Sequence, residues 1–404
     1  MIGQLLLALL LIIFTLGCIG IVLCQVNIFW HRHLAAPRNN TRINKAKPLQ
    51  LKVVQRRDLS ERHFSVRLQS VTGEPLADFS PGQYLTVIAP TMALSGSKSH
   101  VGQKRCYSLA SWHKNIEFYE LGIQRETQGQ VSNWLYLHLQ KGAVISVLPP
   151  KGNFVIDPKQ VDHMVLVAGG IGITPLRAMV HQFIAPDVKR SSSNKTMSLF
   201  YSAKSIAEMC YLDEFTQLAK QHNDFDFYPF ISNLDDLTTK LVWQGSVGRL
   251  SANQLNQKLN CYSEEHQSER STVEDEARRH YCLCGPNGMM DDISHGLTQQ
   301  GVPASNIHFE RFGITNDLFS EDKFSIDIKG SKSIFFQSHR TLLDAMEEQG
   351  VEIQSECRTG ECGQCKIKIQ KGTTKRLIKT DVPLNKGEVL SCCSIPESDL
   401  QIEL

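Results

Sequence analysis

Cys357-Arg358-Thr359-Gly360-Glu361-Cys362-Gly363-Gln364-Cys365 decides how the C-terminal part of this 404-residue chain is read. Three thiols at the spacing C-x4-C-x2-C, with a fourth available from the adjacent pair Cys392-Cys393, match the ligand pattern of a [2Fe–2S] cluster. Gly360 and Gly363 suit that chemistry, because a loop folded round an anionic cluster must aim backbone N–H groups at sulfur and leaves little room for a Cβ. Zinc is the competing reading and fits worse. Structural zinc sites usually pair cysteines as C-x2-C on both sides, whereas a vicinal Cys-Cys chelates one ion poorly. A disulfide scaffold is excluded by the dilution of 12 cysteines, unevenly spaced, through so long a chain.

Outward from that loop, the flanking sequence has the periodicity of a small folded unit. Phe324-Ser325-Ile326-Asp327-Ile328 alternates as a strand, and an amphipathic helix is expected near Thr341 to Gln349, with Gly350 as its stop. Residues 322–404 therefore form one unit. Upstream, the apolar run Met164-Val165-Leu166-Val167-Ala168 enters Gly169-Gly170-Ile171-Gly172-Ile173-Thr174-Pro175, and a helical stretch follows from Pro175. Met197 to Tyr201 is a second such run; Tyr281-Cys282-Leu283-Cys284 is a third and enters Gly285-Pro286-Asn287-Gly288. Strands alternating with helices predict a doubly wound parallel α/β domain over residues 159–312. Ser263 to His280, charged and poor in apolar residues, is expected to be a surface loop. Residues 48–158 read as β: Phe64, Val66 and Leu68 alternate with Ser65, Arg67 and Gln69, and Tyr84 to Ile88 follows the turn Pro81-Gly82, which predicts an antiparallel β-barrel. Residues 313–321 are a linker.

The charge balance is +2, from 43 Lys/Arg and 41 Asp/Glu, and argues against a nucleic-acid partner. Its distribution is uneven. Eight Lys/Arg and no acid precede Asp58, so the rest of the chain is mildly acidic. Residues 1–30 contain no Asp, Glu, Lys or Arg, and about 20 such residues span a bilayer core of about 30 Å as a transmembrane helix. A cleaved signal peptide would put its basic residues before the apolar run, whereas here Arg32, Arg38 and Arg42 follow it in a basic juxtamembrane linker, residues 31–47. The expectation is a single-pass membrane anchor with the C-terminal domains facing the cytoplasm.

From residue 324 to the end the chain resembles plant-type ferredoxins, whose β-grasp fold the resemblance implies. Their closing signature, a Cys preceded by Leu and a small residue and followed four residues later by Pro, falls on Leu390, Cys392 and Pro396. Cys357, Cys362, Cys365 and Cys392 are thus the metal ligands by resemblance, and Cys393 a packed neighbour. The preceding part is similar to the ferredoxin:NADP reductase superfamily. Arg105-Cys106-Tyr107-Ser108 matches its flavin motif R-x-Y-[ST]: a cation for pyrophosphate, an aromatic for the ring, and a hydroxyl at the ring edge. Gly129-Gln130-Val131-Ser132 matches its Gly-x-x-Ser element at a helix start, where free N–H groups hold a phosphate. Gly169, Gly170, Gly172, Thr174 and Pro175 match its nicotinamide-site turn, and Cys284-Gly285-Pro286-Asn287-Gly288 its second nucleotide motif. Glu310-Arg311-Phe312 stands at its terminal acid-x-aromatic, with Phe312 in place of the commoner Tyr and the chain continuing beyond. Both departures occur in relatives with an attached C-terminal ferredoxin, of the phthalate dioxygenase reductase and hybrid-cluster-protein reductase types.

The resemblance implies FAD, a [2Fe–2S] cluster and NADH as cofactors, with NADPH possible and FMN used by some of the group. Tyr107 and Phe312 would cover the two flavin faces; Ser108, Thr174, Cys284 and Glu310 would line the hydride-transfer site; Pro286 and Gly288 would complete the nucleotide cradle. Cys282 is expected to point away from Cys284 and pack in the core. The implied activity is an electron-transfer reductase passing electrons to a protein acceptor such as a non-haem iron desaturase, hydroxylase or oxygenase. A quinone or ferric reductase and a membrane-tethered redox sensor are the alternatives. Asn233 stands where NADPH-specific relatives place an Arg, which favours NADH. Asp344, Glu347, Glu348, Glu352, Glu356 and Glu361, set against Arg358 alone, suggest an acidic docking face beside the cluster.

Overall fold

Three kinds of sequence periodicity become three kinds of sheet. The computed structural model describes residues 47–404 apart from 91–102, 128, 158–160, 187–194, 234–242, 266–278, 314–322, 330–332, 337–340, 352, 361, 379 and 381. The expected anchor at 1–30, nearly all of the basic linker and most of the 313–321 linker lie outside the described residues. Among the described residues, no helix is long and apolar enough to cross a membrane.

The first sheet has six antiparallel strands, β1 (Leu49–Asp58), β2 (His63–Ser70), β3 (Tyr84–Ala89), β4 (Gln103–Ser108), β5 (Tyr119–Gln124) and β6 (Val144–Lys151), in the order β4-β3-β6-β1-β2-β5. An isolated bridge between Leu109 and Leu121 joins the two edge strands and closes the barrel at that end. Alternation does the rest: Leu51, Val53, Phe64, Val66, Leu85, Val87, Leu121 and Ile123 are all essentially inaccessible and form the barrel core. Helix α1 (Gln130–His138) plugs it with Val131 and Leu135.

Next comes a six-stranded parallel sheet of β7 (His163–Gly169), β8 (Thr196–Ala203), β9 (Phe225–Ile231), β10 (Ser246–Val247), β11 (Arg279–Cys284) and β12 (Ile307–Glu310), ordered β10-β9-β8-β7-β11-β12. Helices α2 (Ile173–Ile184), α3 (Leu212–Gln221), α4 (Ala252–Glu265) and α5 (Asn287–Gln299) make the crossovers. Even positions Leu166 and Ala168 pack with α2 and α3, while odd positions Val165 and Val167 pack with α4 and α5. The strand order reverses between β7 and β11, and the crevice at the carboxyl ends of those strands is where such sheets bind ligands. Two sequence readings are corrected here. Cys282 and Cys284 share one face and one core, because side-chain direction repeats every two residues along a strand. The Ser263 to His280 segment is not all loop: α4 runs to Glu265 and β11 starts at Arg279.

The third sheet combines β13 (Phe324–Ile328), β14 (Ser333–Phe336), β15 (Lys366–Lys371), β17 (Glu388–Leu390) and β19 (Leu400–Glu403) in the order β14-β13-β19-β15-β17, with β13 and β19 parallel. A side ribbon pairs β16 (Thr374–Arg376) with β18 (Ser394–Pro396). Helix α6 (Leu342–Glu348) lies on the sheet through Leu342, Ala345 and Met346, in a β-grasp arrangement. Its start is fixed by a capping box in which Thr341 and Asp344 satisfy each other's backbone N–H groups, worth about 1 kcal/mol.

Candidate functional site

Strand β4 carries the flavin motif and meets both other domains. By alternation Cys106 and Ser108 project to one side of it. Ser108 Oγ donates to Glu310 Oε2 of the nucleotide domain at 2.8 Å, and both side chains are buried. Cys106 Sγ donates to the Glu356 backbone carbonyl, 3.2 Å away, in the residue preceding the first cluster cysteine. Tyr107 packs half-buried against the barrel core, and its phenol is pushed above the usual range by burial. Arg105 is held below its ordinary value by burial and by the Arg358 cation.

The candidate dinucleotide cradle is built from glycines that allow two turns to touch. A Cβ on Gly172 would lie 2.2 Å from the Cys284 carbonyl oxygen, and one on Gly169 would lie 2.6 Å from Pro286 Cδ. Gly285 is closed off in the same way by Met289 and Gly169. Gly170, at φ +53°, and Gly288 face open space instead. Thr174 is buried, its hydroxyl spent on the Ile171 carbonyl at 3.0 Å, and Pro175 is buried in the first turn of α2. Cys284 is buried beneath Gly172. Phe312 stays 44% exposed, while Arg311 beside it donates to Asn287 Oδ1 at 3.0 Å and Asp291 Oδ1 at 2.5 Å, tying Glu310 and Phe312 to the start of α5.

The N-termini test whether anionic groups fit. Helices α1, α2 and α5 begin at Gly129, Gly172 and Pro286 with no side-chain cap, in contrast to the fully capped α6. At α1 no side chain competes for the first-turn N–H groups, as a flavin pyrophosphate there requires, whereas at α2 the Ile173 N–H already bonds the Gly170 and Ile171 carbonyls of the preceding turn. Val131 is core, and the Ser132 hydroxyl already accepts the Glu126 N–H at 3.1 Å. The backbone of Gly129 to Ser132, more than those side chains, is the fitting part.

In the cluster loop the thiols form two pairs. Cys365 and Cys392 have Sγ atoms 3.1 Å apart, and Cys362 hydrogen-bonds Cys357. The Thr359 and Cys362 N–H groups point at Cys357 Sγ, each at 3.4 Å, and Arg358, Gly360 and Gly363 adopt positive φ to aim them. Hydrogen bonds from Cys362 and from these amides lower the Cys357 thiol, whereas Cys362, Cys365 and Cys392 are shifted upward among their thiol neighbours and by burial. Four thiols in two pairs with amides aimed at sulfur fit a [2Fe–2S] cluster. Cys393 Sγ lies behind Gly360, where a Cβ would come within 2.7 Å of it, and 3.3 Å from Cys392 Sγ.

Charges near the cluster are partnered inside the molecule. Arg358 donates to Asp344 at 2.7 Å and also bonds Glu347, and the nearly buried Glu356 meets Lys151 of the barrel. The expected acidic face therefore loses three of its members to internal pairing, and Glu352 and Glu361 lie outside the described residues. Sequence reasoning also missed a buried network between the first two domains. Arg177 of α2 donates from Nη1 to Ala110 O at 2.7 Å and Glu120 Oε1 at 3.2 Å in the barrel, and from Nε to Glu214 at 2.9 Å in α3. Gly122 of β5 completes the contact, since a Cβ there would lie 2.4 Å from Thr174 Cγ2. The only local signal was a Gly in an otherwise well-patterned strand.

Comparison with known proteins matches this layout. Residues 326–397 match the 2Fe-2S iron-sulfur cluster binding domain family, and residues 166–295 the oxidoreductase NAD-binding domain family. The ferredoxin reductase component of 3-ketosteroid-9-alpha-monooxygenase from Mycobacterium tuberculosis is 30% identical over 342 residues, covering 80% of this chain and 84% of that protein. The chain belongs to that family of ferredoxin reductase components. The reductase is also similar to the glycine betaine monooxygenase reductase subunit of Chromohalobacter salexigens, 25% identical over 348 residues that cover 80% and 87% of the two chains. The solved structure of a phthalate dioxygenase reductase aligns at TM-score 0.61 and 22% identity over 88% of this chain and 98% of that one, and shares the fold. The reductase is an oxidoreductase with an FAD-binding reductase fold, an NAD-binding domain and a [2Fe–2S] domain.

Proposed function

We propose that this reductase takes hydride from NADH onto FAD and sends the electrons singly through the [2Fe–2S] cluster to an oxygenase-type protein acceptor. The observation that carries this reading is β4, where Ser108 touches the nucleotide domain and Cys106 the cluster loop from one side of one strand. When bound, FAD supplies the exchange between a two-electron donor and a one-electron carrier. The chain's own residues bind and orient. Arg105 and the α1 N-terminus would hold the flavin phosphates, Tyr107 and Phe312 the ring, and Gly170 and the α2 N-terminus the nucleotide phosphates. Ser108, Thr174, Cys284 and Glu310 would shape the hydride-transfer pocket, with the Ser108–Glu310 hydrogen bond fixing the hydroxyl at the ring edge. Cys357, Cys362, Cys365 and Cys392 would hold the irons. Asn233, following β9 with its N–H on the Lys204 carbonyl at 3.1 Å, stands in place of the Arg of NADPH-specific relatives and supports NADH over NADPH, with Lys204 and Arg249 the cations left to meet a 2′-phosphate.

The acceptor we favour is a membrane-bound non-haem iron desaturase or hydroxylase, reached from the cytoplasmic side. The relatives serve a monooxygenase or dioxygenase by name, and the uncharged stretch Met1 to Trp30 followed by Lys/Arg supports anchoring. NADH-driven reduction of cytochrome c by the purified reductase tests the electron path, and the membrane protein retained with the anchored form identifies the acceptor. A chain that consumes NADH without passing single electrons, or that fractionates as a soluble protein, would defeat the corresponding part.

A further inference from the structure

Glu356, at the start of the cluster loop, finds two of its three partners on another domain. Its Oε2 accepts from Lys151 Nζ of β6 at 3.0 Å and from Gln364 Nε2 of its own loop at 2.7 Å, and its Oε1 lies 2.9 Å from the same lysine as an ion pair without a hydrogen bond. Its backbone carbonyl takes the Cys106 thiol of β4. Strands β4 and β6 flank β3, and Tyr84 on β3 stands in register with both Ser108 and Lys151. Glu356 is thus seated across three adjacent barrel strands, one residue from Cys357 and on the strand that carries the flavin motif.

We infer that Glu356 fastens the ferredoxin domain to the flavin barrel, with Lys151 and Cys106 as positioning residues that set the approach of the cluster loop to the flavin strand. The inference rests on the NADH–FAD–cluster path proposed above. The electrostatics are one-sided. Glu356 is 5% exposed in its side chain and Lys151 43%, so losing Lys151 leaves a buried carboxylate with only a neutral amide, while solvent screens the pair from the lysine side. The thiol contact is weaker but directional. Burial pushes Cys106 up to about 12, so it remains an S–H donor at neutral pH. No electron is created or consumed by this contact. A bound [2Fe–2S] cluster would take one electron at a time from reduced flavin, one ferric iron becoming ferrous and the second electron following after the protein acceptor has removed the first, and the fastener would govern only the distance crossed.

The test uses the holo-reductase with Lys151→Met, which keeps the aliphatic stem, and Lys151→Arg, which keeps the charge. Anaerobic mixing with NADH should show flavin reduction at the wild-type rate in both. Cluster reduction should be about tenfold slower in Lys151→Met, a difference of 1.36 kcal/mol, and restored in Lys151→Arg. Amide exchange at Ser355 to Cys357 should rise in Lys151→Met, a readout independent of turnover. High salt should slow cluster reduction in the wild type and leave Lys151→Met unaffected. Cys106→Val should share the slow phase and Cys106→Ser should not. Unchanged cluster reduction and exchange in Lys151→Met would overturn the fastener, as would slowing of flavin and cluster by the same factor, which marks general damage. A wild-type cluster that NADH never reduces would instead overturn the electron path.

Discussion

Replacing Arg177 by Met asks whether the flavin and nucleotide domains are joined by charge or by packing alone. The guanidinium leaves its own helix to bind Ala110 O and Glu120 in the barrel while its Nε holds Glu214. Its side chain is 7% exposed and Glu120 only 4%. Removing one partner of a buried pair costs about 3–5 kcal/mol. Here each acid keeps a second partner, Arg67 Nε at 3.0 Å for Glu120 and His181 Nε2 at 2.7 Å for Glu214, so we expect less than that, about 2–3 kcal/mol. Part of that is the cation over the Tyr211 ring at 4.3 Å, worth about 1 kcal/mol. For a pair of domains this size the loss lowers the melting temperature by roughly 5–10 °C. Thermal unfolding followed by flavin fluorescence reads it. Glu120→Gln with Arg177→Met should be less damaging than the two single losses added, because each single variant leaves the other's buried charge with one partner fewer. A melting temperature within about 1 °C of wild type, or strict additivity, would show that the network contributes little.

Three further outcomes follow from the same geometry. Burial alone would raise Glu214, but the His181 and Arg177 contacts outweigh it and bring it down to about 2 from an ordinary 4.5. Its contribution is therefore complete above pH 4.5 and disappears as pH falls toward 2, so the stability gap between wild type and Glu214→Gln should close over that window; a pH-independent gap would remove the carboxylate from the account. Gly122→Val forces a side chain into Thr174 and should cost about 1–3 kcal/mol and slow flavin reduction by NADH, read by stopped-flow absorbance, whereas an unchanged rate would mean the two domains reach each other elsewhere. Cys392→Ser should bleach the cluster absorbance with flavin retained while Cys393→Ser leaves it, and the reverse result would exchange the ligand and its neighbour.

Local patterns carried most of the fold. The run at Met164 to Ala168 announced β7 because a strand buried on both faces is apolar throughout, and alternation at Phe64 to Leu68 announced the barrel because one face is core. The cluster loop was legible because cysteine spacing is itself the ligand geometry. Pairings over long separations were not. Arg177 reads as an ordinary polar position on a helix, and nothing near it in sequence names Glu120 or Ala110. Asp344, Glu347 and Glu356 read as a solvent-facing acidic cluster, yet Arg358 turns back at φ +59° between the first two and Glu356 crosses to Lys151. Cys106 occupies the unspecified position of R-x-Y-[ST], and its thiol meets Thr86 Oγ1 within the barrel at 3.6 Å and the Glu356 carbonyl of the ferredoxin domain at 3.2 Å. In each case the information lies in how domains meet, which no periodicity encodes.

The central claim is that flavin and cluster work in series within one molecule. Rapid-freeze electron paramagnetic resonance after anaerobic mixing with NADH tests it most directly, with flavin absorbance followed in parallel. The account predicts that flavin bleaches first and that the signal of the reduced [2Fe–2S] cluster then grows at a rate independent of protein concentration. A cluster signal that never appears, or one whose rate rises with protein concentration, would contradict it.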